Sequence, residues 1–182
     1  SDTSVLAVRP DGTTLWKTRV DDALGTGGGL CVGDLDDNGF SEIYVTTLVE
    51  TDGFILTRVY ALDHEGHLPT DAGYPKTIMG DPTQCAPLIG DIDGDGRKEL
   101  VVASGHEPVM AWEADGSITP GFPMLALACL SMCNPVLADL DGDGDLEIMA
   151  PADDYRFHVL DLPAPYAADR MDWGMLRRDP QN

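Results

Sequence analysis

One pattern, D-x-D-x-[DN]-G-x-x-E-[IL], occurs three times and leaves the rest of the chain little freedom. Its first copy runs from Asp34 through Asp36, Asn38 and Gly39 to Glu42. The second runs from Asp91 through Asp93, Asp95 and Gly96 to Glu99, and the third from Asp139 through Asp141, Asp143 and Gly144 to Glu147. Hard cations such as Ca2+ take six to eight oxygens at about 2.3–2.6 Å, and a tight loop with oxygens at alternate positions supplies them. Positions 1, 3, 5 and 9 offer side-chain oxygens, and position 7 (Phe40, Arg97, Asp145) would offer its backbone carbonyl. The glycine at position 6 accepts the positive φ that folds the loop back on itself. Without a cation, carboxylates held this close repel one another. An Asp/Gly run can be a plain polar turn, but three copies in one register point to three cation loops.

The loops are not EF-hands, which need a carboxylate at position 12. Those positions are Val45, Val102 and Ala150, apolar residues of the segment leaving each loop. The expectation is therefore a short loop between two β-strands. Asp34, Asp91 and Asp139 lie 57 and then 48 residues apart, a period that signals stacked repeat units. The flanks repeat as well. Cys85–Gly90 and Cys133–Ala138 are short apolar lead-ins, and Glu42–Thr46, Glu99–Ala103 and Glu147–Ala150 are β-prone runs after each loop. A further strand follows at Val59–Leu62, Val109–Trp112 and Phe157–Leu160, with Gly66 and Gly116 in turns behind the first two. The pairs Tyr74-Pro75 and Phe122-Pro123 suit an outer strand edge. Extra length in the first repeat falls near Leu48–Ile55, read as a longer hairpin with Asp52-Gly53 at its tip. The N-terminal segment, with Val5–Gly12 and Thr14–Val20, repeats only the outer half of a unit, with no calcium loop before it. The tail around Asp172 and Trp173 reads as the last outer strand. No stretch shows convincing helical periodicity.

Four-stranded units of this length stacked side by side describe β-propeller blades. On the loop motif and the Asn134–Gly144 and Ala111–Pro123 segments, the chain resembles the FG-GAP/VCBS-repeat family, of the integrin-α-like and bacterial secreted type. The resemblance implies an all-β partial propeller of about three and a half blades. The boundaries read as an outer half blade over 1–26 and blades over 27–80, 81–127 and 128–182. It also implies structural rather than catalytic Ca2+ at three sites. A closed propeller needs at least four blades, and the chain starts at Ser1 without Met. The expectation is a piece of a larger propeller, or a chain completed by another; two copies would bring about seven blades.

Composition narrows function. The formal net charge of −21 argues against nucleic acid and anionic membranes as partners. The longest apolar run, Met124–Leu130, is too short to span a bilayer. Low-affinity calcium modules work at extracellular calcium levels, which points to a secreted, periplasmic or cell-surface setting. The four cysteines match no zinc pattern. Cys31 reads as a buried core thiol; Cys85 could pair with Cys129 or Cys133, or all could stay free. A soft-metal site at Cys129, Met132 and Cys133 is the weaker reading.

No hydrolase elbow, zincin, Walker or dinucleotide motif is present, so no catalytic residue is assigned. Gly25–Gly29 reads as a linker. His64 and His67 read as turn residues, His106 and Glu107 as a loop, and Trp16, Trp112 and Trp173 as core or edge aromatics. Three functions stay open: an extracellular scaffold that binds protein or glycan in adhesion, part of a secreted polysaccharide lyase, and a self-assembling subunit.

Overall fold

A computed structural model of the chain describes residues 3–20, 23–25, 29–69, 73–79, 86–103, 108–124, 134–151 and 156–175. The β-branched runs between Asp/Gly turns become short strands in four antiparallel sheets. Strands β1 (Ser4–Val8) and β2 (Thr14–Arg19) form a hairpin. In the second sheet, β3 (Ala23–Gly25) and β4 (Leu30–Gly33) share one edge of β5 (Glu42–Thr51), followed by β6 (Phe54–Leu62) and β7 (Lys76–Ile78). The third sheet is β8 (Leu88–Gly90), β9 (Glu99–Val102) and β10 (Met110–Trp112); the fourth is β11 (Val136–Ala138), β12 (Asp145–Pro151) and β13 (Phe157–Pro165). One 3-10 turn, Ala168–Arg170, is the sole helical element among the described residues. Among the described residues the sheets do not close on one another.

Each core lies between two successive sheets, as face-to-face packing requires. Val5 and Trp16 of the first hairpin pack with Val45, Tyr60 and Leu62 of the second sheet. The other side of that sheet (Cys31, Tyr44, Val59, Ala61) meets Ile89, Leu100 and Trp112 of the third. The third sheet's opposite face (Leu88, Val101, Ala111) meets Leu137, Ile148 and Leu162 of the fourth. Register explains the split: Leu88, Val101 and Ala111 stand in one cross-strand row, and Ile89, Leu100 and Trp112 in the next. A sheet buried on both sides needs apolar residues at consecutive positions, so β8 and β9 are buried throughout. By contrast, β13 and the first hairpin alternate along their length, because one side of each faces outward.

The long hairpin is found where the sequence places it. Thr51 pairs with Phe54 across Asp52 and Gly53, both at positive φ, the backbone of a tight hairpin turn. The outer strand of the third sheet is reduced to bridges, Trp112 with Ile118 and Val109 with Met124. Pro123 offers no N–H to a continuous ladder there. Gly25, read as linker, belongs to β3. Cys31 is a free, fully buried thiol; Cys85, Cys129, Cys133, His106 and Glu107 lie outside the described residues, and with them the disulfide and soft-metal expectations.

The tail differs from the expectation of a last outer strand. Trp173 exchanges two 3.0 Å backbone hydrogen bonds with Ile89 of β8, and the Leu137 N–H of β11 donates to the Gly174 carbonyl at 2.8 Å. Residues 170–174 thus run as a strap along the inner strands. The reason is hydrogen bonding: inner strands leave unpaired N–H and C=O groups on their free edge, and a returning segment satisfies them. Gly33 permits this approach, since a Cβ there would lie 2.8 Å from Asp172 Cβ.

The first hairpin is anchored on the turn of the second sheet. Trp16 Nε1 donates to the His64 carbonyl at 3.3 Å, and Thr18 Oγ1 donates to the Gly66 carbonyl. Gly66 has φ +83°, and a Cβ on it would sit 2.5 Å from the Trp16 ring. Gly121 has φ +88° with open space around it. Gly66→Ala is expected to cost about 2–3 kcal/mol and to expose Trp16, whereas Gly121→Ala costs only about 1 kcal/mol of backbone strain. Urea unfolding monitored by tryptophan fluorescence checks this; equal costs would refute the Trp16 contact.

Candidate metal centres

Each loop is held by its own carboxylates. In the second loop, Asp91 Oδ1 accepts from Gly94 N at 2.8 Å and Oδ2 from Gly96 N at 3.0 Å. Asp93 accepts from Asp95 N at 3.1 Å, and Asp95 from Arg97 N at 2.8 Å. The first loop repeats this plan: Asp34 accepts from Asn38 N and Gly39 N, and the Asn38 side-chain oxygen from Phe40 N. The third does so through Asp139 with Gly142 N, Asp141 with Asp143 N, and Asp143 with Asp145 N. In all three, one oxygen of the position-9 glutamate accepts from the N–H at position 2: Glu42 from Leu35, Glu99 from Ile92, Glu147 from Leu140. That bond ties the strand leaving the loop to the strand entering it.

The consequence is three convergent oxygen clusters: Asp34, Asp36 and Glu42; Asp91, Asp93 and Glu99; Asp139, Asp141 and Glu147. Within each, one oxygen per residue lies within 4.8 Å of the others. Asp95 and Asp143 at position 5 stand outside these groups. Asp95 is also gripped by the Arg97 side chain at 2.6 Å, which holds its carboxyl below the usual range. Asn38 Nδ2 donates a hydrogen bond to Asp36 Oδ2 at 2.9 Å. The side chain of Phe40, at position 7, stacks on His64 with ring centroids 4.4 Å apart.

Glu99 and Glu147 are buried, and the second oxygen of each, Oε1, has no hydrogen-bond partner. Buried carboxylate oxygens seldom stay unsatisfied, and both belong to the clusters. This donor set of carboxylate, amide and carbonyl oxygens fits a hard divalent cation. Burial pushes the Glu99 carboxyl up to about 8, with the Asp93, Glu113 and Asp91 charges adding to it against the Ile92 hydrogen bond. Burial likewise lifts Glu42 to about 7, with Asp36 and Asp34 contributing.

Residues 63–67 also converge, with Asp63, Glu65 and His67 offering ligand atoms within 4.8 Å. Asp63 is committed to the turn, accepting from the Glu65 and His67 N–H groups at 2.9 and 2.8 Å and facing His67 Nδ1 at 3.1 Å.

Sequence reasoning missed Lys98. Its side chain is buried, and Nζ donates to the Asp34 carbonyl at 2.7 Å and to Asp172 Oδ2 at 2.9 Å, with Asp37 Oδ1 at 3.2 Å. Asp172 Oδ2 also accepts from Asp34 N at 2.9 Å, and Arg170 reaches Asp37 at 3.2 Å. Burial lowers the affinity of Lys98 for its proton, but the bonds to Asp172 and Asp37 more than offset this, and its pKa is raised. One ammonium therefore joins the first loop, the second loop and the strap. A lysine beside the position-9 glutamate was the visible signal; its partners are 64 and 74 residues away.

Sheets stacked on alternate faces, with a carboxylate loop joining two antiparallel neighbours in three of them (β4–β5, β8–β9 and β11–β12), define a partial β-propeller built from loop-bearing blades. Among known families, residues 91–150 match the model of the FG-GAP-like repeat. The matched stretch begins at the first aspartate of the second loop and ends with Ala150 in β12, so it holds two of the three loops. No curated protein and no solved structure matches the chain.

Two outcomes are expected. Lys98→Met should cost about 2–3 kcal/mol in urea unfolding, less than for a fully enclosed pair because Asp172 and Asp37 still reach water. A cost no larger than that of Arg97→Met, at the exposed ion pair, would refute the clamp. The second concerns pH. With calcium chelated, the folded protein holds protons on Glu42 and Glu99 that the unfolded chain releases near its ordinary value of 4.5. Stability of the chelated protein should therefore be greatest below that value and decline as pH rises through about 7 and about 8. Calcium should remove the decline, and parallel pH profiles with and without it would refute the coupling.

Proposed function

We propose that the three loops bind Ca2+ and that the chain is an extracellular propeller scaffold whose ions are structural. The observation that carries this reading is the pair of buried, unpartnered oxygens on Glu99 and Glu147, each in an acidic cluster. A cation would complete their coordination and cancel the repulsion among the carboxylates. Asp34, Asp36, Asn38 and Glu42 would hold the first ion with the Phe40 carbonyl. Asp91, Asp93, Asp95 and Glu99 would hold the second with the Arg97 carbonyl, and Asp139, Asp141, Asp143 and Glu147 the third with the Asp145 carbonyl. Each set comes from one hairpin, so an ion there pins two strands rather than a substrate. Recognition of a protein or glycan falls to the exposed loop face. A groove between the first and second loops, lined by Asp36, Asp37, Arg97, Glu113, Asp115 and Ser117, supports that assignment. Extracellular calcium modules bind with dissociation constants of about 10⁻⁴–10⁻³ M, and loops of this kind suit a secreted or cell-surface setting.

Calorimetric titration is expected to find three calcium ions per chain. At ten times the dissociation constant each adds about 1.4 kcal/mol, so saturating all three should raise Tm by roughly 10 °C. Asp93→Ala should remove one ion and Asp169→Ala none. An unchanged Tm with and without chelator would overturn the proposal.

A further inference from the structure

The three loops share one pattern, and two of them depart from it at residues that meet. At position 4, Gly94 and Gly142 take positive φ, and the first loop places Asp37 there at φ +54°, a backbone that glycine adopts with less strain. At position 8 the residues are Ser41, Lys98 and Leu146. Leu146 belongs to the core between the third and fourth sheets. Lys98 is buried as well, yet it carries a charge. The unusual residue of each loop holds the other: Lys98 Nζ lies 3.2 Å from Asp37 Oδ1 and donates to the Asp34 carbonyl at 2.7 Å. A buried ammonium is costly unless paired, so neither residue is explained by its own loop. The strap completes the link. Asp172 Oδ2 accepts from Lys98 and from the Asp34 N–H, both at 2.9 Å. The Arg170 carbonyl accepts from the Asp91 N–H at 3.2 Å, and its guanidinium reaches Asp37 at 3.2 Å. The first aspartate of both loops is therefore seated on residues 170–172.

We infer that the first and second loops bind their cations cooperatively, with Lys98 and the strap as the coupling element, while the third loop binds independently. The coupling presupposes the calcium sites proposed above. An ion at the first loop fixes Asp34 and Asp36, and with them the Asp34 carbonyl and the Asp37 carboxylate that hold Lys98. Lys98 is followed directly by Glu99, a ligand of the second site. The second ion then meets a loop that is already partly ordered, and less conformational entropy is lost on binding. Coupling between sites is reciprocal, so an ion at the second loop strengthens the first by the same factor. The third loop has neither half of the clamp, because Gly142 and Leu146 occupy positions 4 and 8 and offer no charged side chain.

The test is calcium titration of the full chain followed by NMR. The amides of Gly39, Gly96 and Gly142 each donate to the first aspartate of their own loop, so each reports one site. Asp36→Ala, which removes the first ion, should lower calcium affinity at the second loop by about fivefold or more, and Asp93→Ala should lower it at the first by a similar factor. Affinity at the third loop should move by less than about twofold in either variant. Lys98→Met should abolish the effect: in that background Asp36→Ala leaves the second loop's affinity unchanged. A lysine that served stability alone would leave the effect intact. Asp37→Gly restores the residue of the other two loops and so keeps the turn; it should reduce the coupling, and it carries the test if Lys98→Met does not fold. No ion at any loop would overturn both the calcium sites and their coupling. Three ions binding with affinities indifferent to the neighbouring loops would leave the calcium sites standing and overturn the coupling alone. A third-loop affinity that falls with the second in Asp36→Ala would also overturn it, as would full coupling in Asp37→Gly.

Discussion

The structure depends on sheets too thin to stand alone. Three-residue strands such as β8, β10 and β11 bury almost nothing within their own sheet. They persist because the neighbouring sheets supply the second side of each core. Every fully buried aliphatic side chain contributes about 1.5–3 kcal/mol on leaving water, and Leu88, Ile89, Leu100 and Ile148 are all fully buried. Stability in such an array is a sum of interfaces between neighbours rather than the property of one centre.

The loops solve a different problem. A short hairpin must reverse direction at the end of each inner strand. The carboxylates do this by accepting backbone N–H groups of their own loop, which concentrates negative charge where the chain turns. Local folding thus produces an electrostatic liability that a divalent ion can remove. The glutamate at position 9 links the two effects, with one oxygen fixing backbone and the other left toward the cluster. Lys98 does for loop-to-loop geometry what the glutamate does within a loop, with a protonated amine donating where the carboxylate accepts.

Much of this was legible in the sequence. Three repeats in one register announce repeating units, the apolar residue at position 12 excludes the helical calcium loop, and Asp52-Gly53 marks its hairpin. Each depends on residues close together in the chain, where spacing and turn chemistry act directly. The tail was misread because an aromatic segment bounded by polar residues looks the same at either edge of a sheet. The Lys98 clamp was invisible for a related reason: a single basic residue in an acidic chain has many candidate partners.

The sequence alone determined the strand-loop-strand units, the first, third and ninth positions of each oxygen cluster and the all-β class, because all three follow from contacts within about ten residues. Only the tertiary structure decided which sheet faces are covered, where the strap returns and which carboxylates Lys98 joins. Those outcomes turn on how the sheets stack, and stacking brings together groups whose separation along the chain carries no local signal.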